Sequence, residues 1–178
     1  MAPNLCASHD DPHQCAPGRQ YGFLVHGLWP QYDKGYPQSC SSEPLTPALQ
    51  AKYAPVYAAP GLIKHEWAKH GTCSGLAPAD YFELTAKLQR ALAIPPAYQR
   101  PATPLRQSYA QFGLAFQTAN PGLPTDSVLP FCSDGGRFLR EARACFGKSG
   151  RAQQCSAAEL KASRKSCGQD SFLLQNVR

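Results

Sequence analysis

His65-Glu66-Trp67-Ala68-Lys69-His70-Gly71-Thr72-Cys73 and the upstream Phe23-Leu24-Val25-His26-Gly27-Leu28-Trp29-Pro30-Gln31 place three of the five histidines of this 178-residue chain in two short blocks. An imidazole, with an ordinary pKa of about 6.5, both gives and takes a proton near neutrality, so two facing one substrate supply an acid and a base. The second block reads as a helix, in which residues four apart lie within about 40° of each other and adjacent residues about 100° apart. Glu66 and His70 then share one face and His65 and Lys69 the next. The four polar groups span an arc of about 140° while Ile63 and Trp67 turn inward. A zinc-binding His-Glu-x-x-His helix sets its imidazoles four apart on one metal, whereas His65 and His70 are five apart and diverge. Lys69 would also repel a cation, so the pattern points to acid-base chemistry with no metal and no other cofactor.

Upstream of the helix, Tyr21 to His26 reads as a buried strand ended by Gly27 and Pro30, which sets His26 at a strand terminus facing a cleft. Residues 1 to 20 read as an irregular segment, and 32 to 45 as a polar loop. Thr46-Pro47 has the cap-then-proline signature of a helix start. Further helices are expected from Leu62 to Gly71, from Asp80 to Ala93 with Tyr81, Leu84, Leu88 and Leu92 as the inward stripe, and from Thr103-Pro104 through Phe116. Strands are expected over Ser127 to Ser133, Gly136 to Phe146 and Ser171 to Val177, with a short helix opened by Ser156-Ala157-Ala158-Glu159. This order predicts an α+β fold, an antiparallel sheet packed with several helices.

With 43% apolar and 17% charged residues the chain suits one globular domain with a real core. No apolar run is long enough to span a membrane. Met1 is followed by Ala2-Pro3-Asn4-Leu5-Cys6 rather than by a basic region and an apolar stretch, so the chain as given opens without a signal peptide. The eight cysteines nevertheless favour an oxidising compartment, secreted or periplasmic, and a leader removed from this chain. No Cys-x-x-Cys pair occurs, which argues for disulfides over a zinc site. A net charge of +6 favours polyanionic partners.

Two histidines, a lysine and a carboxylate on a basic protein match the cleavage of RNA by its own 2'-hydroxyl. The base removes the 2' proton, the acid protonates the leaving 5' oxygen, and a cation stabilises the phosphorane. The nucleophile belongs to the substrate, so no serine or cysteine nucleophile is required. His26-Gly27-Leu28-Trp29-Pro30-Gln31 and His65-Glu66-Trp67-Ala68-Lys69-His70-Gly71-Thr72-Cys73, in this order, closely resemble the two active-site segments of the T2 family of acid ribonucleases. The resemblance runs from Pro3 to Arg178, weakly outside the two blocks.

That resemblance implies a ribonuclease T2-like fold and a metal-independent endoribonuclease. It would cut single-stranded RNA through 2',3'-cyclic phosphates to 3'-phosphate ends with low base specificity. His26 would donate and His70 accept the proton in the first step, Glu66 would orient or tune His70, and Lys69 would stabilise the phosphorane. His65 would hold phosphate, and Trp29, helped by Tyr36, would form an aromatic wall for a base. The family pattern also pairs Cys6–Cys15, Cys40–Cys73, Cys132–Cys167 and Cys145–Cys155. It implies a monomer with RNA as its substrate, no membrane and no obligate protein partner. Family members usually open with a strand leading into the first cysteine, and here that first strand is expected to be missing. A binding protein that keeps the fold without the activity, and a hydrolase of phosphodiesters other than RNA, are the competing readings. His9 and His13 receive no role, Trp67 is read as core, and Lys161, Arg164 and Lys165 as a solvated helix face.

Overall fold

The computed structural model describes residues 2–7, 9, 11–57, 59, 61–133 and 135–177. In chain order the elements are α1 (Ala2–Cys6), α2 (Pro47–Tyr53), α3 (Leu62–Lys69), α4 (Pro78–Ala91), α5 (Pro96–Gln99), β1 (Leu105–Gln107), α6 (Tyr109–Ala119), β2 (Val128–Ser133), β3 (Phe138–Ala144), α7 (Ala157–Ser166) and β4 (Phe172–Leu174). Single 3-10 turns at Ala54–Val56 and Gly71–Cys73 follow α2 and α3. The fold class is α+β, and no described helix is long and apolar enough to cross a membrane.

The backbone clusters into two compact units, one of Leu24–Leu92 and one of Met1–Phe23 with Ala93–Arg178. In the first, α2, α3 and α4 surround a core of Leu45, Tyr53, Tyr57, Ile63, Trp67, Tyr81 and Phe82. Two of these helices, α2 and α4, have an explicit local start signal. Thr46 caps α2 by accepting from the Leu49 N–H, and Pro47 and Pro78 occupy first-turn positions where a missing N–H costs nothing. In α4 the stripe is Tyr81, Phe82, Thr85 and Leu88 rather than one spaced strictly by fours, and Leu84 and Leu92 are only half-buried.

The second unit holds a four-stranded sheet ordered β1-β4-β3-β2. The pairs β1–β4 and β2–β3 are antiparallel, but β3 and β4 run parallel through Phe138 and Leu173, so the sheet is mixed rather than antiparallel throughout. Pro130 is tolerated because β2 is an edge strand, and its carbonyl accepts from the Ser163 hydroxyl of α7. Tyr98, Phe112, Phe116 and Phe172 pack ring against ring in this unit. The disulfides are Cys6–Cys15, Cys40–Cys73, Cys132–Cys167 and Cys145–Cys155.

Three sequence expectations for elements fail for identifiable reasons. Tyr21 to His26 is no strand: among the described residues its one β-bridge is Val25–Tyr57, and a ladder needs more than one pair. The helix expected from Thr103-Pro104 starts later. Leu105–Gln107 pairs with β4, and the true start is a capping box in which Ser108 accepts from the Gln111 N–H and Gln111 reaches back to the Ser108 N–H. Residues 2 to 6, expected to be irregular, form a helical turn whose Ala2 and Pro3 are buried. The two C-terminal strands, Phe138–Ala144 and Phe172–Leu174, are also shorter than the expected Gly136 to Phe146 and Ser171 to Val177.

Candidate active site

All seven residues singled out from the sequence for chemistry or substrate contact lie in the Leu24–Leu92 unit. Helix α3 is the platform. Its inward stripe is Ile63, Glu66, Trp67 and, at the C-cap, His70, the i, i+3, i+4, i+7 spacing of an ordinary apolar face. Two of those four positions are therefore polar and buried: Glu66 has 0% of its surface exposed and His70 5%. This corrects the expected arc, in which all four polar groups faced outward; only His65 is exposed, and Lys69 is half-buried.

The end of α3 is fixed carbonyl by carbonyl. The His70 N–H donates to the Glu66 carbonyl at 3.0 Å, and the Ser39 N–H donates to that of Lys69 at 2.8 Å. The Thr72 hydroxyl donates to that of Ala68 at 3.1 Å and accepts from the Cys40 N–H. The Cys40–Cys73 bridge closes the same loop covalently. On the other side, the Tyr81 hydroxyl donates to the Leu28 carbonyl at 2.7 Å, anchoring the segment that carries His26 and Trp29.

Trp29 is the hub of the side chains. Its indole N–H donates to Glu66 Oε2 at 2.8 Å, and its ring lies 5.4 Å, centroid to centroid, from both His26 and His70. His26, with 61% of its side chain exposed, brings Nε2 to 3.6 Å from Glu66 Oε1. The Glu66 carboxyl thus meets Trp29 and His26, while His70 follows at the C-cap of α3 with φ −119° and ψ −46°. Tyr36, half-exposed, approaches His70 with ring centroids 6.1 Å apart.

Burial drives the two buried groups in opposite directions. Burial raises the Glu66 carboxyl to about 7, against the pull of the Trp29 hydrogen bond and the Lys69 ammonium. Burial first, and then the positive charges of Lys69, His65 and His26, lower His70 to about 4. His70 Nδ1 is buried and has no hydrogen-bond partner among the described residues. At mildly acidic pH the site therefore presents a neutral His70 imidazole beside the Lys69 ammonium and a Glu66 carboxyl that readily holds a proton.

Among known proteins, the model of the ribonuclease T2 family matches residues 2–155. The chain belongs to the ribonuclease T2 family. Over 187 residues it is 39% identical to a ribonuclease of Aeromonas hydrophila, covering 99% of this chain and 82% of that one. It is 35% identical over 95 residues to ribonuclease Oy of Magallana gigas, across 45% of this chain and 43% of that protein. The solved structure of ribonuclease MC1 from bitter gourd seeds superimposes with a TM-score of 0.67 at 23% identity, covering 86% of this chain and 89% of that one. An RNase-related protein from Calystegia sepium gives 0.66 at 20%, covering 88% and 86%. At such identity the structural likeness is one of fold. Family membership makes the chain a T2-type endoribonuclease.

Sequence reasoning about this T2-family chain missed two glycines. A Cβ on Gly27 would overlap the Glu66 carboxyl, and one on Gly71 would overlap the Trp67 ring. Each follows a site histidine directly, and the repeated His-Gly pair was the signal available to find them.

Proposed function

We propose that the chain cleaves single-stranded RNA by transphosphorylation without a metal ion, with His70 as the base and His26 as the acid of the first step. His70 takes the 2'-hydroxyl proton as the 2' oxygen attacks phosphorus. The bond from phosphorus to the 5' oxygen breaks, and His26 gives its proton to that oxygen. Lys69 and His65 supply positive charge for the phosphorane oxygens. In the second step the roles reverse, and water opens the 2',3'-cyclic phosphate to a 3'-phosphate.

What carries this reading is the burial of His70 beside Glu66 on the inward stripe of α3, with Trp29 and His26 packed against them. An imidazole held near pKa 4 is neutral and able to accept in mild acid. His26 is solvent-exposed, with Nε2 3.6 Å from Glu66 Oε1, where a leaving 5' oxygen can reach it. Low base specificity follows from the wall: the Trp29 N–H is already engaged by Glu66, and the Tyr36 ring offers a face. Stacking on such faces, about 1–3 kcal/mol per base, is tolerant of base identity. Four disulfides favour an oxidising compartment, secreted or periplasmic.

The acid and base are told apart by a substrate whose 5' leaving oxygen is replaced by sulfur, which departs without protonation. His26→Ala is expected to cleave the normal RNA slowly, about 10²–10⁴-fold down, and to regain most of that loss on the sulfur substrate. His70→Ala is expected to remain slow on both. Rescue of His70→Ala instead would reverse the assignment, and full activity of both variants would remove these residues from the chemistry.

A further inference from the structure

We propose that Trp29 is a positioning residue that acts through Glu66: its indole N–H clamps Oε2 and so turns Oε1 toward His26. This rests on the function proposed above but assigns Trp29 a role other than contact with a base. The geometry is specific. The carboxyl has no exposed surface, one oxygen receives the indole N–H at 2.8 Å, and the other lies 3.6 Å from His26 Nε2. Gly27, between the two residues that flank the carboxyl, leaves room for it where any Cβ would intrude.

A buried carboxyl without a fixed donor could rotate, and the oxygen facing His26 would then be undefined. The indole hydrogen bond on Oε2 fixes the orientation of the carboxyl, so that Oε1, which has no hydrogen-bond partner among the described residues, is presented to His26 Nε2 3.6 Å away. The titratable groups around Glu66 are His26 from the first segment, Lys69 from its own helix, and the buried Tyr57 and Tyr81 from the surrounding core. Neither tyrosine ionises in the working range, since burial pushes both phenols well above their ordinary value. Trp29 is therefore the neutral donor that holds the carboxyl in either protonation state.

The chain has two tryptophans, and both indole N–H groups are hydrogen-bonded: Trp29 to the Glu66 carboxyl and Trp67 to the Glu43 carbonyl at 2.8 Å. Trp67 is thus an internal reference in a ¹⁵N-labelled sample. The Trp29 indole resonance is expected to follow a titration with a midpoint near that of Glu66, about 7, while Trp67 stays still. In Glu66→Gln that transition should vanish, leaving only any response to the histidines. In kinetics, Trp29→Phe keeps a ring but no donor. It is expected to lower kcat on the order of 10- to 100-fold with KM nearly unchanged and to shift the pH profile. Combined with Glu66→Gln it should cost little beyond Glu66→Gln alone.

A Trp29 resonance with no Glu66-dependent transition would overturn the proposal, as would fully additive losses in the double variant or an effect confined to KM. Should Trp29→Phe fail to fold, the spectra of the unsubstituted chain and Glu66→Gln decide the matter. The spectra need no RNA. The clamp can thus fail while RNA cleavage stands, and cleavage can fail while the clamp stands.

Discussion

Glu66 and His70 occupy helix positions where a leucine would be unremarkable, and that substitution of chemistry for packing gives the site its pH behaviour. The folded value for Glu66, about 7, lies above its ordinary 4.5, so the folded chain binds the extra proton between them. The stability from this group is full below about 4.5 and is lost as pH rises through 7. His70 has the opposite sign. Its folded value of about 4 lies below 6.5, so its contribution is full above 6.5 and is lost as pH falls through 4. The two slopes oppose each other over most of the interval and only the Glu66 decline remains above it. Glu66→Gln is accordingly expected to melt at a rising temperature relative to the unsubstituted chain as pH goes from 6 to 8. Thermal denaturation across pH reads this directly, and a constant gap would contradict it. For activity, the acid limb of kcat/KM is expected near pH 4 rather than at the ordinary histidine value, as a pH–rate profile on a short RNA would show. The identities of these residues were legible in the sequence, but their burial was not, because a polar residue at a stripe position reads equally well as the edge of the solvated face.

At the scale of elements, the loop 31–40 is held to the end of α3 by the Ser39 and Cys40 N–H groups and by Cys40–Cys73. That loop carries Tyr36, so in the proposed mechanism the bridge maintains one side of the substrate wall as well as stability. Cys40→Ala with Cys73→Ala is expected to cost about 2–4 kcal/mol, seen as a lower melting temperature, and to raise KM more than it lowers kcat. An unchanged KM would separate the loop from substrate binding. Helices with an explicit start signal, Thr46-Pro47 and Ser156-x-x-Glu159, were readable to within a residue of their true start. The Ser108-x-x-Gln111 box was equally explicit but was outcompeted by the Thr103-Pro104 pair five residues earlier. Tyr21 to His26 misled for a deeper reason. Its apolar run is the side-chain half of a strand, and the other half, a partner ladder, is non-local and leaves no mark on the segment itself.

Across the whole molecule, family and fold were more legible than the details that make the site work. Two blocks of six and nine residues sufficed for the family, whose match ends at residue 155, although α7, β4 and Cys167 lie beyond it. Solved relatives keep the fold at identities near 20%, as expected if buried positions and bridges, not surface residues, carry it. The two glycines and the indole N–H escaped because their importance is the absence of an atom in one case and the direction of a single bond in the other. The central claim is that the substrate supplies its own nucleophile and the protein supplies two imidazoles. It is tested most directly by mass analysis of a short RNA and of the same oligomer carrying one 2'-deoxy residue at a cleaved position, both in excess EDTA at mildly acidic pH. Cleavage of the RNA to 2',3'-cyclic phosphate ends, with the deoxy position alone left intact, is the expected result. Cutting at the deoxy position, or loss of all cleavage in EDTA from folded and fully bridged protein, would contradict it.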